Sequence, residues 1–292
     1  MNRLEVLKTY KIFIGGKFPR TESGRFYKAL NANNEPVANI CLSSRKDVRN
    51  AVQTARKAQG AWQERTAFNR GQILYRIAEI LEGRSAQFVE ELMLQSVTKK
   101  EATVEVESAI DRIVYYAGWC DKFNQVSSTV NPVSSSHFNF STNESIGLVG
   151  ALMPANSSLL DLISYVMPII AGGNTCVLVA SEKLPLTAIT FAEVLNTSDV
   201  PGGVVNILTG SVEELWSPLS AHMDVNALFI DKASRFRKNI QLAAVDNLKR
   251  VREMSADLKT ENGQGLAFIT AFQELKTTWH PIEKIGGASN SY

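Results

Sequence analysis

The spacing of apolar residues changes character twice along the chain. Tyr10-Lys-Ile-Phe-Ile-Gly-Gly-Lys-Phe alternates apolar and polar positions around Gly15-Gly16, which predicts a hairpin. From Ser44, which reads as an N-cap, Val48, Ala51, Val52, Ala55 and Ala58 recur at helical spacing. Ile73, Ile77, Ile80 and Leu81 predict the next helix, and two further helical patterns cover about 85–97 and 104–123. The early part of the chain is therefore a run of amphipathic helices.

Near Val126 the pattern breaks. Residues 127–136 form a polar, turn-rich segment, and Phe138-Asn-Phe-Ser-Thr then alternates as an exposed strand would. From Ile146 short apolar runs alternate with helical patterns. Strands are expected over 146–153, 175–179, 204–208 and 227–230. Helices are expected over 159–171, 185–195 (opened by Pro185), 212–219 and 234–244. Continuously apolar strands between amphipathic helices predict an α/β fold, with a Rossmann-like parallel sheet covered by helices on both faces. Such sheets bind ligands beyond the carboxyl ends of their strands. The tail offers two β-prone runs, 266–272 and 275–281, and a loose end from Gly286.

Composition narrows the function classes. The 292 residues are 45% hydrophobic and 21% charged, as expected for a packed globular chain. With 31 basic and 29 acidic side chains, nothing points to nucleic acid or an anionic membrane as partner. Cys41, Cys120 and Cys176 are few, odd in number and scattered, which favours a reducing, cytoplasmic setting over a disulfide framework. The N-terminus carries no apolar stretch of secretory type, and the longest apolar stretch, 159–171, is too short to span a bilayer. Asn-x-Ser/Thr sequons at Asn139 and Asn156 are therefore read as chance. His137, His222 and His280 are far apart with no carboxylate at metal-ligand spacing, so no metal site is expected.

The strand-loop-helix at Gly150-Ala-Leu-Met-Pro-Ala-Asn-Ser-Ser lacks the Gly-x-Gly-x-x-Gly fingerprint. It nevertheless resembles the aldehyde dehydrogenase superfamily, which has Pro-Trp-Asn at this place. The resemblance continues in register. Pro168-Ile-Ile-Ala-Gly-Gly-Asn-Thr-Cys-Val-Leu is similar to the family's Pro-Ala-Leu-Ala-x-Gly-Asn block, and Val200-Pro-Gly-Gly-Val-Val-Asn to its Pro-x-Gly-Val-x-Asn turn. Ile12-Phe-Ile-Gly-Gly-Lys-Phe resembles the opening hairpin, and Tyr115-Tyr-Ala-Gly-Trp a common helix segment. In all, the similarity covers about residues 10 to 258.

The positions that the resemblance marks as functional have changed. Asn156 keeps the place of the family's oxyanion donor, although an alternative role as a helix cap is open. Glu182 keeps the ribose carboxylate, while the companion lysine is Val179, which costs about 1–3 kcal/mol of cofactor affinity. The block that brings a helix N-terminus to the cofactor phosphates reads Phe229-Ile-Asp-Lys-Ala-Ser-Arg-Phe. Both of its glycines are replaced, by Asp231 and Phe236. Lys232 and Arg235 either attract phosphate there or are simply a solvated basic helix start. The general base is replaced by Met254, which moves no proton, and neighbouring Glu253 points to the opposite strand face. No cysteine follows Cys176, so the family's nucleophile is missing. Cys120 and Cys176 read as buried small hydrophobes.

These changes imply a degenerate form without the catalytic domain, similar to the truncated second half of the two-domain (sixteenth) aldehyde dehydrogenase family. Residues 1–126 and 145–258 are expected to form the cofactor-type domain, and 127–144 with 264–282 an oligomerisation-type β extension. No catalytic residue is expected; Asn156, Glu182 and Lys232 would be vestigial cofactor contacts. No cofactor is expected, with NAD or NADP the exception if the cleft still binds. The expected role is a non-catalytic structural or regulatory subunit, free-standing or part of a longer protein. It would pair with a catalytic aldehyde dehydrogenase or with itself through the retained strands. The alternatives are a residual NAD(P)-binding oxidoreductase and a fragment with no role.

Overall fold

The computed structural model describes residues 6–282; the tail from Gly286, read above as a loose end, lies outside the described residues. The chain starts with β1 (Thr9–Tyr10), β2 (Phe26–Leu30) and β3 (Pro36–Cys41), which form a small sheet in the order β1-β3-β2. The hairpin expected around Gly15-Gly16 is only a tight turn. Ile14 and Lys17 exchange both backbone hydrogen bonds, at 3.0 and 3.1 Å, over two glycines of positive φ. Phe13 pairs instead with Ile207, so this stretch is stitched to the central sheet. The turn lies directly on Gly202, where a Cβ would meet the Gly15 carbonyl oxygen at 2.6 Å. That approach accounts for the Gly15-Gly16 and Gly202-Gly203 pairs.

Four helices follow: α1 (Arg45–Gln63), α2 (Ala67–Gly83), α3 (Ser85–Leu94) and α4 (Lys99–Trp119). Ser44 caps α1 as read from the sequence, its N–H and hydroxyl both donating to Asp47 at 2.8 and 3.0 Å. The fourth helix starts five residues before its apolar pattern, because Thr98 and Glu101 form a second capping box. After α5 (Phe123–Ser127) come β4 (Thr129–Asn131) and β5 (His137–Ser145). The turn-rich segment 127–136, part of the stretch 127–144 expected as a β extension, thus holds a short strand.

The central unit alternates β6 (Leu148–Leu152), α6 (Leu159–Ala171), β7 (Thr175–Val179), α7 (Leu186–Thr197), β8 (Val205–Leu208), α8 (Val212–Ser220), β9 (Ala227–Asp231), α9 (Arg237–Ala244) and β10 (Arg250–Met254). Its five strands are parallel in the order β10-β9-β6-β7-β8. Alternate strand residues face opposite layers. Leu148, Val177, Val179, Leu228 and Ile230 pack with α1, α8 and α9. Val149, Ala151, Cys176, Leu178 and Phe229 pack with α6 and α7, and α2 and α4 complete that layer. This is an α/β Rossmann-like fold with helices on both faces.

The chain ends in α10 (Leu266–Thr270) and β11 (Gln273–Pro281). The run 266–272 was expected to be β and is a helical turn. Ile269 and Phe272, three apart, are both fully buried, and the Phe272 ring lies 5.2 Å from that of Phe229. A strand would put them on opposite faces. The last strand pairs with β5 over nine residues, giving an antiparallel sheet β11-β5-β4. No helix among the described residues is long and apolar enough to cross a membrane.

Candidate functional site

The chain runs from β6 outward to β7 and β8, then crosses back to β9 on the other side of β6. The carboxyl ends of β6 and β9 therefore diverge, which opens a crevice at the switch point. Two clefts meet there and share Pro154, Asp231 and Ala233. The larger, about 530 Å³, is lined by Asn156, Asp161, Tyr165, Asp231, Lys232, Met254 and Lys259 among others. The smaller, about 370 Å³, lies toward α8 and includes Glu182, Glu213, Arg235 and Phe236. Asn156, Lys232 and Met254 are thus brought together, whereas Glu182 stands in the adjoining cleft.

Asn156 is exposed in the turn after β6 and does not cap the helix. The open alternative of a cap is corrected here: Ser158 is the N-cap of α6, and its N–H donates to Asp161 at 3.2 Å. A second carboxylate joins this helix start. Glu105 accepts from the Ser158 hydroxyl and from the Leu160 N–H at 3.2 Å. The Ser158 and Leu160 N–H groups at the start of α6 are therefore already met by acidic side chains of the chain itself.

The turn after β9 is filled in a similar way. Asp231 accepts from the Ala233 N–H at 3.0 Å, so a carboxylate occupies a donor that would otherwise face the cleft. α9 begins only at Arg237, three residues later than its pattern suggested, because Ser234 accepts from the Phe236 N–H and holds a turn. Phe236 stacks on Trp216 of α8 with ring centres 5.6 Å apart and planes at 17°. Arg235 lies over the same ring at 4.6 Å and pairs with Glu213 at 2.6 Å. Of the two basic residues in this turn, Arg235 is thus neutralised, while Lys232 is exposed with its N–H donating to the Met254 carbonyl at 3.0 Å.

Met254 is buried at the carboxyl end of β10, in register with Asp231. Glu253 points the other way, accepting from Arg237 at 2.6 Å and Gln241 at 2.7 Å. The companion position Val179 is wholly buried in the core. Cys120 and Cys176 are buried too, and burial pushes the Cys120 thiol up to about 12. All three cysteines are unpaired.

Sequence reasoning missed Asp161, Tyr165 and Lys259. Burial raises the pKa of Asp161, and the buried Tyr165 hydroxyl has no hydrogen-bond partner among the described residues. The Ser158-x-x-Asp161 spacing was a readable capping signal; nothing in the sequence singled out Tyr165.

The model of the aldehyde dehydrogenase family matches residues 19–256. The chain is 32% identical over 247 residues to an aldehyde dehydrogenase of Aspergillus niger, covering 82% of this chain and 48% of that protein. It is 31% identical over 258 residues to the cytosolic 10-formyltetrahydrofolate dehydrogenase of Mus musculus, covering 86% and 29% respectively. Among solved structures, the NAD+ complex of an aldehyde dehydrogenase from Bacillus cereus superposes with a TM-score of 0.79 at 25% identity, over 84% of this chain and 50% of that one. The chain spans half or less of the length of these relatives.

Proposed function

The chain belongs to the aldehyde dehydrogenase family, and from that premise we propose that it is a member without dehydrogenase chemistry. It serves as a structural or regulatory subunit that pairs with a catalytic aldehyde dehydrogenase or with itself. The observation that carries this reading is Met254. It stands at the carboxyl end of β10, where the resemblance puts the general base, and a thioether transfers no proton. The chain also passes from β10 to α10 through residues 255–265 alone, leaving no room there for the domain that carries the family's thiol. The retained sheet β11-β5-β4 supports the pairing role, since both of its outer strands are edges among the described residues. Three unpaired, buried thiols favour a reducing compartment such as the cytoplasm.

The crevice fits a dinucleotide poorly. A diphosphate at the turn after β9 would meet the Asp231 carboxylate, and the stacked Phe236 and Trp216 rings close the gap between α8 and α9. Calorimetric titration with NAD and NADP is the test. Binding is expected to be weaker than about 100 μM, roughly 5.5 kcal/mol. Tighter binding would favour the second reading, a residual NAD(P)-binding oxidoreductase, for which Asn156, Glu182 and Lys232 speak. An Asp231→Gly, Phe236→Gly double variant is expected to bind at least about tenfold more tightly than the parent, a gain of about 1.4 kcal/mol.

A further inference from the structure

Asp161 and Tyr165 stand four residues apart on α6, so they share one face of the helix, and both line the larger cleft. Across from them, Phe229 and Asp231 share a face of β9. The Phe229 ring lies 4.4 Å from that of Tyr165. Asp231, the next residue on that face, therefore comes in near Tyr165, and it lines the cleft too. Burial first, then the carboxylates of Asp231 and Asp161, raise the pKa of the Tyr165 hydroxyl, which stays protonated.

These three side chains leave oxygens unmet. Tyr165 is wholly buried, and its hydroxyl has no partner among the described residues. Asp161 uses one carboxylate oxygen on the Ser158 N–H at 3.2 Å, and Asp231 uses one on the Ala233 N–H at 3.0 Å. The other oxygen of each accepts nothing among the described residues, and neither carboxylate has an ion-pair partner there. A buried hydroxyl is ordinarily paired. An orphaned one between two half-buried carboxylates on a cleft wall marks a place where something else completes the set.

The chemistry of that group is narrow. The carboxylates only accept, and the phenol oxygen accepts as well as donates. A group that meets all three is a cation rich in donors. Among the described residues no three acidic, histidine or cysteine side chains are grouped so as to hold one metal ion. A primary ammonium brings three N–H donors, one for each oxygen. The rim carries the opposite charge. Lys232 and Lys259 line the same cleft, are exposed and have no ion-pair partner among the described residues. Asp257, the remaining charge on the lining, is exposed and accepts from the Lys259 N–H at 3.0 Å. Pro154, Met254 and Leu258 supply apolar wall, and a cleft of about 530 Å³ suits a small molecule.

We propose that the cleft binds a small zwitterionic amino acid, its primary ammonium group held by Asp161, Asp231 and Tyr165 and its carboxylate turned toward Lys232 and Lys259. The inference rests on the reading of the chain as a regulatory subunit, and gives that subunit a ligand in a cleft that fits a dinucleotide poorly. Asp161, Tyr165 and Asp231 bind here and carry out no chemistry.

Calorimetric titration of the full chain with unbranched amino acids, from glycine to 6-aminohexanoate, is the test. At least one is expected to bind more tightly than about 1 mM. The alkylamine and the alkanoate of matching length should each bind at least about tenfold more weakly, since each lacks one of the two charges. Tyr165→Phe should weaken binding about tenfold without lowering the melting temperature of the free chain, because the hydroxyl it removes has no partner. Asp161→Asn and Asp231→Asn keep an acceptor for the Ser158 and Ala233 N–H groups and should weaken binding at least about tenfold. Binding that ignores all three variants places the amino acid elsewhere and overturns the site. An alkylamine or alkanoate that binds as tightly as the amino acid overturns the zwitterion. If no amino acid of the series binds more tightly than about 1 mM, the proposal falls, while the reading of the chain as non-catalytic, which rests on Met254, stands. NAD bound more tightly than about 100 μM, with no amino acid bound, overturns both.

Discussion

Asn174 is wholly buried and holds three segments at once. Its Oδ1 accepts from the Gly147 N–H at 2.9 Å, and its Nδ2 donates to the carbonyls of Ile169 at 3.3 Å and Phe272 at 3.1 Å. Asn174→Ala leaves the Gly147 donor buried without its partner, while the Phe272 carbonyl still accepts from the Ile146 N–H and Gln273 Nε2, both at 3.1 Å. The expected loss is about 1–3 kcal/mol in urea unfolding, and a loss below about 0.5 kcal/mol would mean that another group takes over the Gly147 N–H. The Gly-Gly-Asn run was readable as a family motif, but its work as a tie was not, since two of its partners lie 27 and 98 residues away. Glu91 gives a pH-dependent case. It is buried, and accepts from Tyr10 at 2.8 Å and Thr190 at 2.7 Å. Burial outweighs these donors and raises its pKa above the ordinary 4.5. A raised carboxyl contributes its stability below the unfolded pKa and loses it as pH rises through the folded one. Glu91→Gln keeps both acceptor bonds without a charge to bury. Its melting temperature relative to the parent is therefore expected to rise as pH climbs above about 4.5 and to level off once the folded carboxyl is ionised; a falling difference would show the ionised form to be well accommodated. Neither Glu91 nor the cleft's Tyr165 could be picked out of the sequence, because burial of a polar group inside a helix depends on which helices meet.

At the scale of elements, helix starts were readable where a capping residue precedes the apolar period, as at Ser44, and misplaced where the chain first makes a turn, as before α9. The 266–272 run was ambiguous by composition, and only the Phe229 ring beneath it selects the helix. Tertiary packing overrode a β propensity there. The connection from β10 to α10 depends on one side chain of α4. Buried Arg112 donates to Ser164 at 2.5 Å and to the carbonyls of Leu258 at 2.6 Å and Thr260 at 3.0 Å. Among the described residues this fork has no carboxylate partner in hydrogen-bond range, and burial lowers its pKa. Its role is to satisfy carbonyls that no strand or helix serves. Arg112→Met retains an apolar stem of similar reach and removes those donors. Limited proteolysis is expected to cut segment 257–262 at least about tenfold faster in the variant, as local opening there becomes easier by about 1.4 kcal/mol or more. Equal cleavage rates would mean that the segment is held by its own turns.

Across the whole molecule, the parallel sheet and its helices form one core, and the sheet β11-β5-β4 is attached to it at few points. Two of these are at the root of β11. Gln273 donates to the Gly172 carbonyl at 3.0 Å, and Arg250 donates to the Gln273 carbonyl at 2.5 Å. Outward from there the strand contributes mainly its nine pairs with β5, and most of its side chains are exposed. The two faces of this sheet are not polar and apolar as alternation in the sequence suggested: Asn139 and Ser141 are buried while Phe138 is 47% exposed. Asn131, Ser141 and Thr277 explain the inversion, since they join Asn139 in a hydrogen-bonded ladder across all three strands. Such a ladder depends on β11 for one of its rails. Cutting the chain after Gln273 retains the root contacts and removes the rest of the strand. The core is then expected to keep its cooperative unfolding, while amides of β5 lose hydrogen-exchange protection by at least about a hundredfold, about 2.7 kcal/mol. Protection in β6, five-residue and central, should stay near that of the parent. If both strands lost protection together, the small sheet would be part of the same cooperative unit as the core, and its exposed Phe138 would belong to the fold's stability and not to a separable attachment surface.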